Sequence, residues 1–295
     1  MGKRVLVTGA TGLIGRMTIA PLRALGYEVI ALSRKANVPA AVETLACDLL
    51  DASSRTKALQ KARASHLLHL AWYDGPENRW TAPQNRDWGQ ATVKLVREFS
   101  QAGGQRVVCM GSCAEYDWAQ EVLREDSPLN PASLYGKAKA DTSNVVMDLA
   151  KETGLSIAWA RAFFCYGPGE PKGRLLGDLL LGLSKGENVP CTDGLQQRDF
   201  LHSSDYGRAL ATVLDSDHAG PVNIASGQAV EVRALITIAA RLMGAPELVQ
   251  LGALKRPASD AACIRADISR LDTLGFKPEF CLKTGLKNCV EEFGK

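Results

Sequence analysis

Tyr135 and Lys139 are the residues of this sequence best suited to chemistry. In the stretch Ser133-Leu134-Tyr135-Gly136-Lys137-Ala138-Lys139 they stand four residues apart, so in a helix they share a face while Lys137 points elsewhere. An ammonium beside a phenol favours the phenolate, which lowers the tyrosine pKa from about 10 toward working pH and makes the hydroxyl a usable proton donor and acceptor. That is chemistry for hydroxyl and ketone groups. Such pairs also occur on solvated helix faces, so the surrounding elements decide what this one means.

The chain opens on a β-branched run, Arg4 to Val7, followed by Thr8-Gly9-Ala10-Thr11-Gly12-Leu13-Ile14-Gly15 and an apolar-periodic helix to about Leu25. Strand, glycine turn and helix form the context a dinucleotide phosphate loop requires, because glycines admit the pyrophosphate and the helix N-terminus offers unpaired amides. Gly9, Thr11, Gly12, Leu13 and Ile14 are therefore cofactor candidates. A second strand, Tyr27 to Leu32, ends in Ser33-Arg34-Lys35. An NAD site usually carries Asp or Glu here for the ribose 2′-hydroxyl, whereas a 2′-phosphate takes cations and hydroxyls. With no carboxylate at this point, NADP(H) is favoured and NAD(H) is the alternative.

Asp48 and Leu49 follow a short third strand toward the adenine. His66 to Trp72 reads as a fourth strand that brings Leu70 and Ala71 to the cofactor, leading into a Trp-rich loop to Trp88 that borders substrate or cofactor, with packing the plainer reading of its tryptophans. After a helix from Gln90 to Gln101, the strand Arg106 to Met110 ends at Gly111-Ser112-Cys113-Ala114-Glu115-Tyr116. Ser112 thus stands just past a strand's C-terminal end, where doubly wound sheets place reacting groups. Asp126 to Pro131 is a turn leading into the Tyr135 helix, and Ser156 to Phe163 is a sixth strand. Beyond it the alternation loosens: a helix from Arg174 to Lys185, a strand from Gln196 to His202, a helix from Ser204 to Leu214, a closing strand Val222 to Ala225, and a helical tail from Val230. The pattern predicts an α/β fold, a Rossmann-type doubly wound parallel sheet with a smaller C-terminal α/β substrate lobe. Residues 1–165 and about 200–226 form the nucleotide half; 166–199 and 227–295 form the lobe.

Bulk properties narrow the class. The 295 residues are 46% hydrophobic, enough for a full core, and the net charge of +3 announces neither nucleic acid nor membrane as a partner. No secretory h-region and no run long enough to cross a bilayer stand out, and eight scattered cysteines without Cys-x-x-Cys spacing read as free thiols. A cytoplasmic protein without a metal site is expected.

With these residues in hand, the sequence resembles the extended short-chain dehydrogenase/reductase family, the group of nucleotide-sugar epimerases, dehydratases and reductases. The resemblance rests on Gly9-x-x-Gly12-x-x-Gly15, Ser112 four residues before Tyr116, Tyr135-x-x-x-Lys139, Tyr166-Gly167-Pro168-Gly169 and Arg198-Asp199-Phe200-Leu201-His202. It implies a catalytic triad of Ser112, Tyr135 and Lys139. It implies Phe163 beside the cofactor, Arg198 and Arg256 on the diphosphate of a nucleotide sugar, and Trp72, Cys113, Ala114, Phe164 and Arg174 around that substrate. Pairing of two subunits through the helices near Gln90 and Tyr135 is implied as well. Dehydratases of the family carry an Asp-Glu pair after the serine or threonine, and here Cys113 and Ala114 stand there; Glu115 falls one place late and faces elsewhere. An epimerising cysteine would stand at Ala114, and Phe164 replaces a frequent asparagine. These departures leave a bare Ser-Tyr-Lys site, and the Ser33-Arg34-Lys35 edge favours NADPH-dependent reduction of the C4 ketone of a nucleotide-activated 4-keto-6-deoxy sugar. A 4-epimerase holding NAD is the alternative, and a non-catalytic NADP-binding sensor or scaffold is the reading outside enzymology.

Overall fold

The structure, a computed structural model, describes residues 3–294 other than 35–37, 39, 42, 74, 76 and 77. In chain order its elements begin β1 (Arg4–Thr8), α1 (Gly15–Ala24), β2 (Glu28–Ser33), β3 (Glu43–Ala46), α2 (Ala52–Ala62), β4 (His66–His69) and α3 (Gln84–Gln101). They continue with β5 (Arg106–Ser112), α4 (Leu134–Thr153), β6 (Ser156–Ala162), β7 (Phe164–Tyr166), α5 (Leu175–Ser184), β8 (Val189–Pro190), β9 (Gln197–His202) and α6 (Ser203–Asp215). The last are β10 (Gly220–Ile224), β11 (Ala229–Glu231), α7 (Val232–Leu242), β12 (Val249–Gln250), β13 (Cys263–Ile264), α8 (Ser269–Thr273) and α9 (Leu282–Phe293).

Seven strands pair in parallel in the order β10-β6-β5-β4-β1-β2-β3. The strand order reverses between β1 and β4, which opens a crevice at the C-terminal edge of the sheet. Alternation along each strand serves two cores. Val5 and Val7 face α1 and α6, where Ile19, Leu22, Tyr206 and Leu210 cover them; Leu6 and Leu67 face Leu95, Phe99, Val146 and Leu149 of α3 and α4. Gly207 of α6 lies so close to the Met17 backbone of α1 that a Cβ there would collide with it.

The chain leaves this sheet after Ala162. β7, β9, β11 and β13 make a second sheet with β9 at its centre, and β8 pairs with β12. A separate core of Leu176, Leu179, Leu235, Ile236 and Leu286 joins α5, α7 and α9. At His202 the chain passes directly into α6, and β10 then returns to the main sheet beside β6.

Several elements differ from the sequence reading; besides β7 and β8, which it did not resolve, three bear on the site. α2 was not anticipated, since its Ala-Ser-Lys-Gln sequence carries few apolar positions; Asp51 starts it by accepting the Ser53 amide at 3.0 Å. α3 starts at Gln84 rather than Gln90, running through Gly89 because that glycine lets α4 approach: a Cβ would lie 2.6 Å from the Thr142 hydroxyl oxygen. β5 extends to Ser112, so the serine ends the strand.

Candidate active site

A cleft of about 1480 Å³ runs along the C-terminal edge of the main sheet and under the second sheet. Gly9, Thr11, Gly12, Leu13 and Ile14 line its nucleotide end, with Ser33, Arg34, Asp48, Leu49, Leu70 and Ala71. Gly9 adopts φ +70°, and a Cβ there would stand 2.8 Å from the Ala71 amide nitrogen; a Cβ on Gly15 would run into the Gly9 carbonyl. Gly12 faces open space apart from the Gly9 oxygen. α1 starts with no side-chain cap and no acidic residue in its first turn. A glycine-rich turn leading into an uncapped helix start is a cradle for a diphosphate, although the Gly12, Arg16 and Met17 amides already bond within the turn, so the residues present fit a dinucleotide. Lys35 lies outside the described residues.

At the middle of the cleft Ser133 caps α4, accepting the Gly136 amide at 3.0 Å, and the Tyr135 amide donates to the Trp80 carbonyl at 3.1 Å. These bonds set the first turn of α4 against the loop after β4. The hydroxyls of Ser112 and Tyr135 are hydrogen-bonded. Lys139 follows one turn on, only 3% exposed, with Nζ donating to the Met110 carbonyl at 2.7 Å and lying 6.0 Å from the Tyr135 ring centroid. The three groups share one cleft wall.

Tyr135 and Lys139 titrate opposite to the expectation from their spacing. Burial holds the Tyr135 phenol up at about 12 against the Ser112 hydrogen bond, which lowers it. Burial likewise brings Lys139 down to about 7, opposed by the charge of Glu115. Desolvation therefore outweighs the attraction between ammonium and phenolate that the four-residue spacing suggested.

Behind the serine, Glu115 is buried in the core, as its late position suggested. Its Oε1 accepts the Ser112 amide at 2.7 Å and the Trp159 indole N–H at 3.0 Å, and its Oε2 accepts Arg161 Nε at 2.9 Å. Arg161 Nη1 donates to the Tyr116 hydroxyl at 2.9 Å, and Tyr116 donates to Asn223 Oδ1 at 2.7 Å. Cys113 lines the cleft with its thiol pushed up to about 12 by burial. Ala114 is not on the cleft wall: its carbonyl packs under Gly136, where a Cβ would clash with it.

Trp72, Phe163, Phe164, Arg174 and Arg198 all line the cleft. Arg198 is committed to the protein: Nη1 donates to the carbonyls of Gln197 at 2.7 Å and Ala261 at 2.9 Å, and Nη2 pairs with Asp260. Phe164 stacks near it, 5.5 Å from the guanidinium. Arg256, on the loop before Asp260, is not part of the cleft wall. Sequence reasoning missed Arg16, whose guanidinium bridges from α1 to the Pro168 carbonyl, and Glu170, a buried carboxyl pushed up to about 7 by desolvation. Arg16 follows Gly15 directly, and that adjacency was the available signal. Among the described residues no group of three His, Cys, Asp or Glu is placed to hold a metal, and no helix is long and apolar enough to cross a membrane.

A parallel sheet reversing at its first strand, with a glycine turn at its C-terminal edge and Ser112, Tyr135 and Lys139 on one cleft wall, is a Rossmann-type fold. The chain belongs to the NAD dependent epimerase/dehydratase family, which its residues 5–225 match. It is similar to the dTDP-4-dehydro-6-deoxy-D-allose reductase of Streptomyces bikiniensis, 26% identical over 325 residues covering 99% of this chain and 96% of the relative. It is also similar to a 3-diazoavenalumate denitrifying reductase of a Streptomyces species, 30% identical over 259 residues and covering 82% of each. Among solved structures, MoeE5 in complex with UDP-glucose and NAD superposes with a TM-score of 0.87 at 31% identity, over 99% of this chain and 98% of that one.

Proposed function

We propose that the protein is an NADPH-dependent 4-ketoreductase acting on a nucleotide-activated 4-keto-6-deoxy sugar. The observation that carries this reading is what faces the cleft beside Ser112. The next residues offer a protonated thiol at Cys113, an alanine turned under α4, and a carboxylate, Glu115, consumed by Arg161 in the core. No acid and base pair remains next to the serine for losing water or exchanging a ring proton. A hydroxyl-to-hydroxyl relay is left, which moves one proton.

The nicotinamide, when bound, supplies the hydride. The substrate oxygen sits against the paired hydroxyls of Ser112 and Tyr135; Ser112 hydrogen-bonds it as charge develops, and Tyr135 gives up its proton to it. Lys139 holds the cofactor ribose and, as an ammonium, eases the phenol's ionisation. Ser33 and Arg34 hold a 2′-phosphate at the far end of the cleft. Arg174 faces the diphosphate, and Arg198 joins it by exchanging Asp260 for a phosphate oxygen. The reductase name of the Streptomyces bikiniensis relative and the UDP-glucose of MoeE5 support a sugar nucleotide. A homodimer through α3 and α4 and a cytoplasmic location complete the proposal; Val145, 47% exposed on α4, and the eight free thiols support them.

The test is NADPH oxidation with dTDP-4-keto-6-deoxyglucose, with NADH as the control cofactor. Stoichiometric consumption of NADPH establishes the reductase. If no cofactor is consumed while the protein carries bound NAD and interconverts nucleotide hexoses, the 4-epimerase takes its place.

A further inference from the structure

Lys139 faces an energetic problem that its own element does not solve. Its ammonium is almost completely desolvated, and its one direct hydrogen-bond partner among the described residues is the Met110 carbonyl. Charged groups near it are few. Glu115, from the turn after β5, favours the ammonium across a distance. Cys109 of β5 and Tyr135 of α4 are both held as neutral acids, with burial pushing each to about 12. His69 of β4 is neutral too, driven down to about 3 by burial and by the lysine's charge. What completes the shell is an aromatic face: Nζ lies 3.6 Å from the centroid of the Trp72 ring.

That indole is fixed from behind. Its Nε1 donates to Asn85 Oδ1 at 2.8 Å, and Asn85, fully buried in the first turn of α3, donates through Nδ2 to the carbonyls of Arg79 at 2.7 Å and Ala82 at 2.9 Å. The ring also stands edge-on to Tyr135, 6.5 Å between centroids at 88°. One asparagine therefore orients the indole that touches Lys139 and borders Tyr135.

We propose that Trp72 is a positioning residue of the proton relay, which holds the Lys139 side chain against β5 and keeps it an ammonium through its π face, with Asn85 setting the ring. A desolvated cation–π contact favours the charged form by an amount equal to roughly one pH unit. Burial, partly offset by Glu115 and Cys109, brings Lys139 to about 7, so a contribution of that size decides whether the group is charged at neutral pH. Loss of the ring moves the lysine's titration to lower pH, and the alkaline limb of turnover moves with it.

The inference rests on Tyr135 and Lys139 as the relay but not on any sugar. Its test accordingly uses cofactor-free protein carrying 13C,15N-labelled lysine, with the Lys139 side-chain resonance assigned from Lys139→Met and followed through a pH titration by NMR. Trp72→Leu is expected to lower the Lys139 pKa by roughly one unit, and Trp72→Phe, with its weaker quadrupole, by less. An unchanged Lys139 titration in Trp72→Leu overturns the proposal. Should the leucine variant fail to fold, Trp72→Phe decides: a downward shift supports the role, and a titration identical to wild type removes it. Failure of the sugar assay leaves this result standing, because no substrate enters it.

Discussion

Glu115 and Arg161 are ion-paired at 2.9 Å with side chains 0% and 5% exposed, and the same carboxylate receives the backbone amide of Ser112. A salt bridge in the core thus sets the backbone of the serine that faces the cleft. Buried pairs are costly to break from one side, because the surviving charge is left desolvated. Arg161→Met is expected to destabilise the fold by about 3–5 kcal/mol, read from urea unfolding. A loss below about 1 kcal/mol would show that the pair is dispensable.

Tyr135→Phe removes the hydroxyl bonded to Ser112 while leaving the ring between Trp72 and Trp80. Turnover is expected to fall by roughly 10²–10⁴-fold with the cofactor dissociation constant unchanged. Single-turnover kinetics and calorimetric cofactor titration separate the two quantities. Full activity in this variant would sink Tyr135 as the acid.

Arg34 is an exposed cation at the adenosine end of the cleft. Arg34→Ser should weaken NADPH by about tenfold or more and NADH little, as expected when a charge-assisted hydrogen bond to a phosphate is lost. Equal effects on the two cofactors in a binding titration would refute the 2′-phosphate assignment.

His69 is bonded on both sides, Nδ1 to Thr8 Oγ1 at 2.8 Å and Nε2 to Thr92 Oγ1 at 2.9 Å, and burial drives its pKa from 6.5 to about 3. The folded protein therefore binds the proton less readily than the unfolded chain. Stability from this group is complete above pH 6.5 and falls as pH drops toward 3, by about 1.4 kcal/mol per unit. Chemical denaturation at pH 7 and pH 5 should differ by about 2 kcal/mol more in wild type than in His69→Gln. The buried lysine, with a folded value of about 7, adds only about 0.4 kcal/mol across this window and does so equally in both proteins, so it cancels in the comparison. Equal pH dependence in the two proteins would exclude His69 as the source.

What the sequence disclosed follows from the range of the interactions involved. The Gly9 turn, the four-residue spacing of Tyr135 and Lys139 and the strands that carry Val5, Leu67 and Val107 are local or periodic, and each was readable from neighbours along the chain. The partners that fix the site are remote. Arg198 meets Asp260 from 62 residues away, and Arg161 meets Glu115 from 46, so neither pairing leaves a spacing to read. The same holds for Lys139, whose partner Met110 lies 29 residues earlier and whose aromatic neighbour sits on another strand's exit. Spacing alone joined the lysine to Tyr135 and suggested an ionisation that burial reverses. Ala114 shows the converse limit: adjacency to Ser112 in sequence does not bring it to the cleft, because the turn after β5 rotates it under α4.

Asn223 holds the turn behind Ser112 by accepting the Tyr116 hydroxyl and by donating to the Leu123 carbonyl, yet it lies on β10, 107 residues after Tyr116. Synthesis runs from the N-terminus, so a chain still on the ribosome acquires its glycine turn, serine, tyrosine and lysine well before the strand that pins the serine turn. Until β10 has emerged and docked beside β6, the nascent protein carries Ser112, Tyr135 and Lys139 without that clamp. Maturation of the site is thereby deferred until most of the chain has been made.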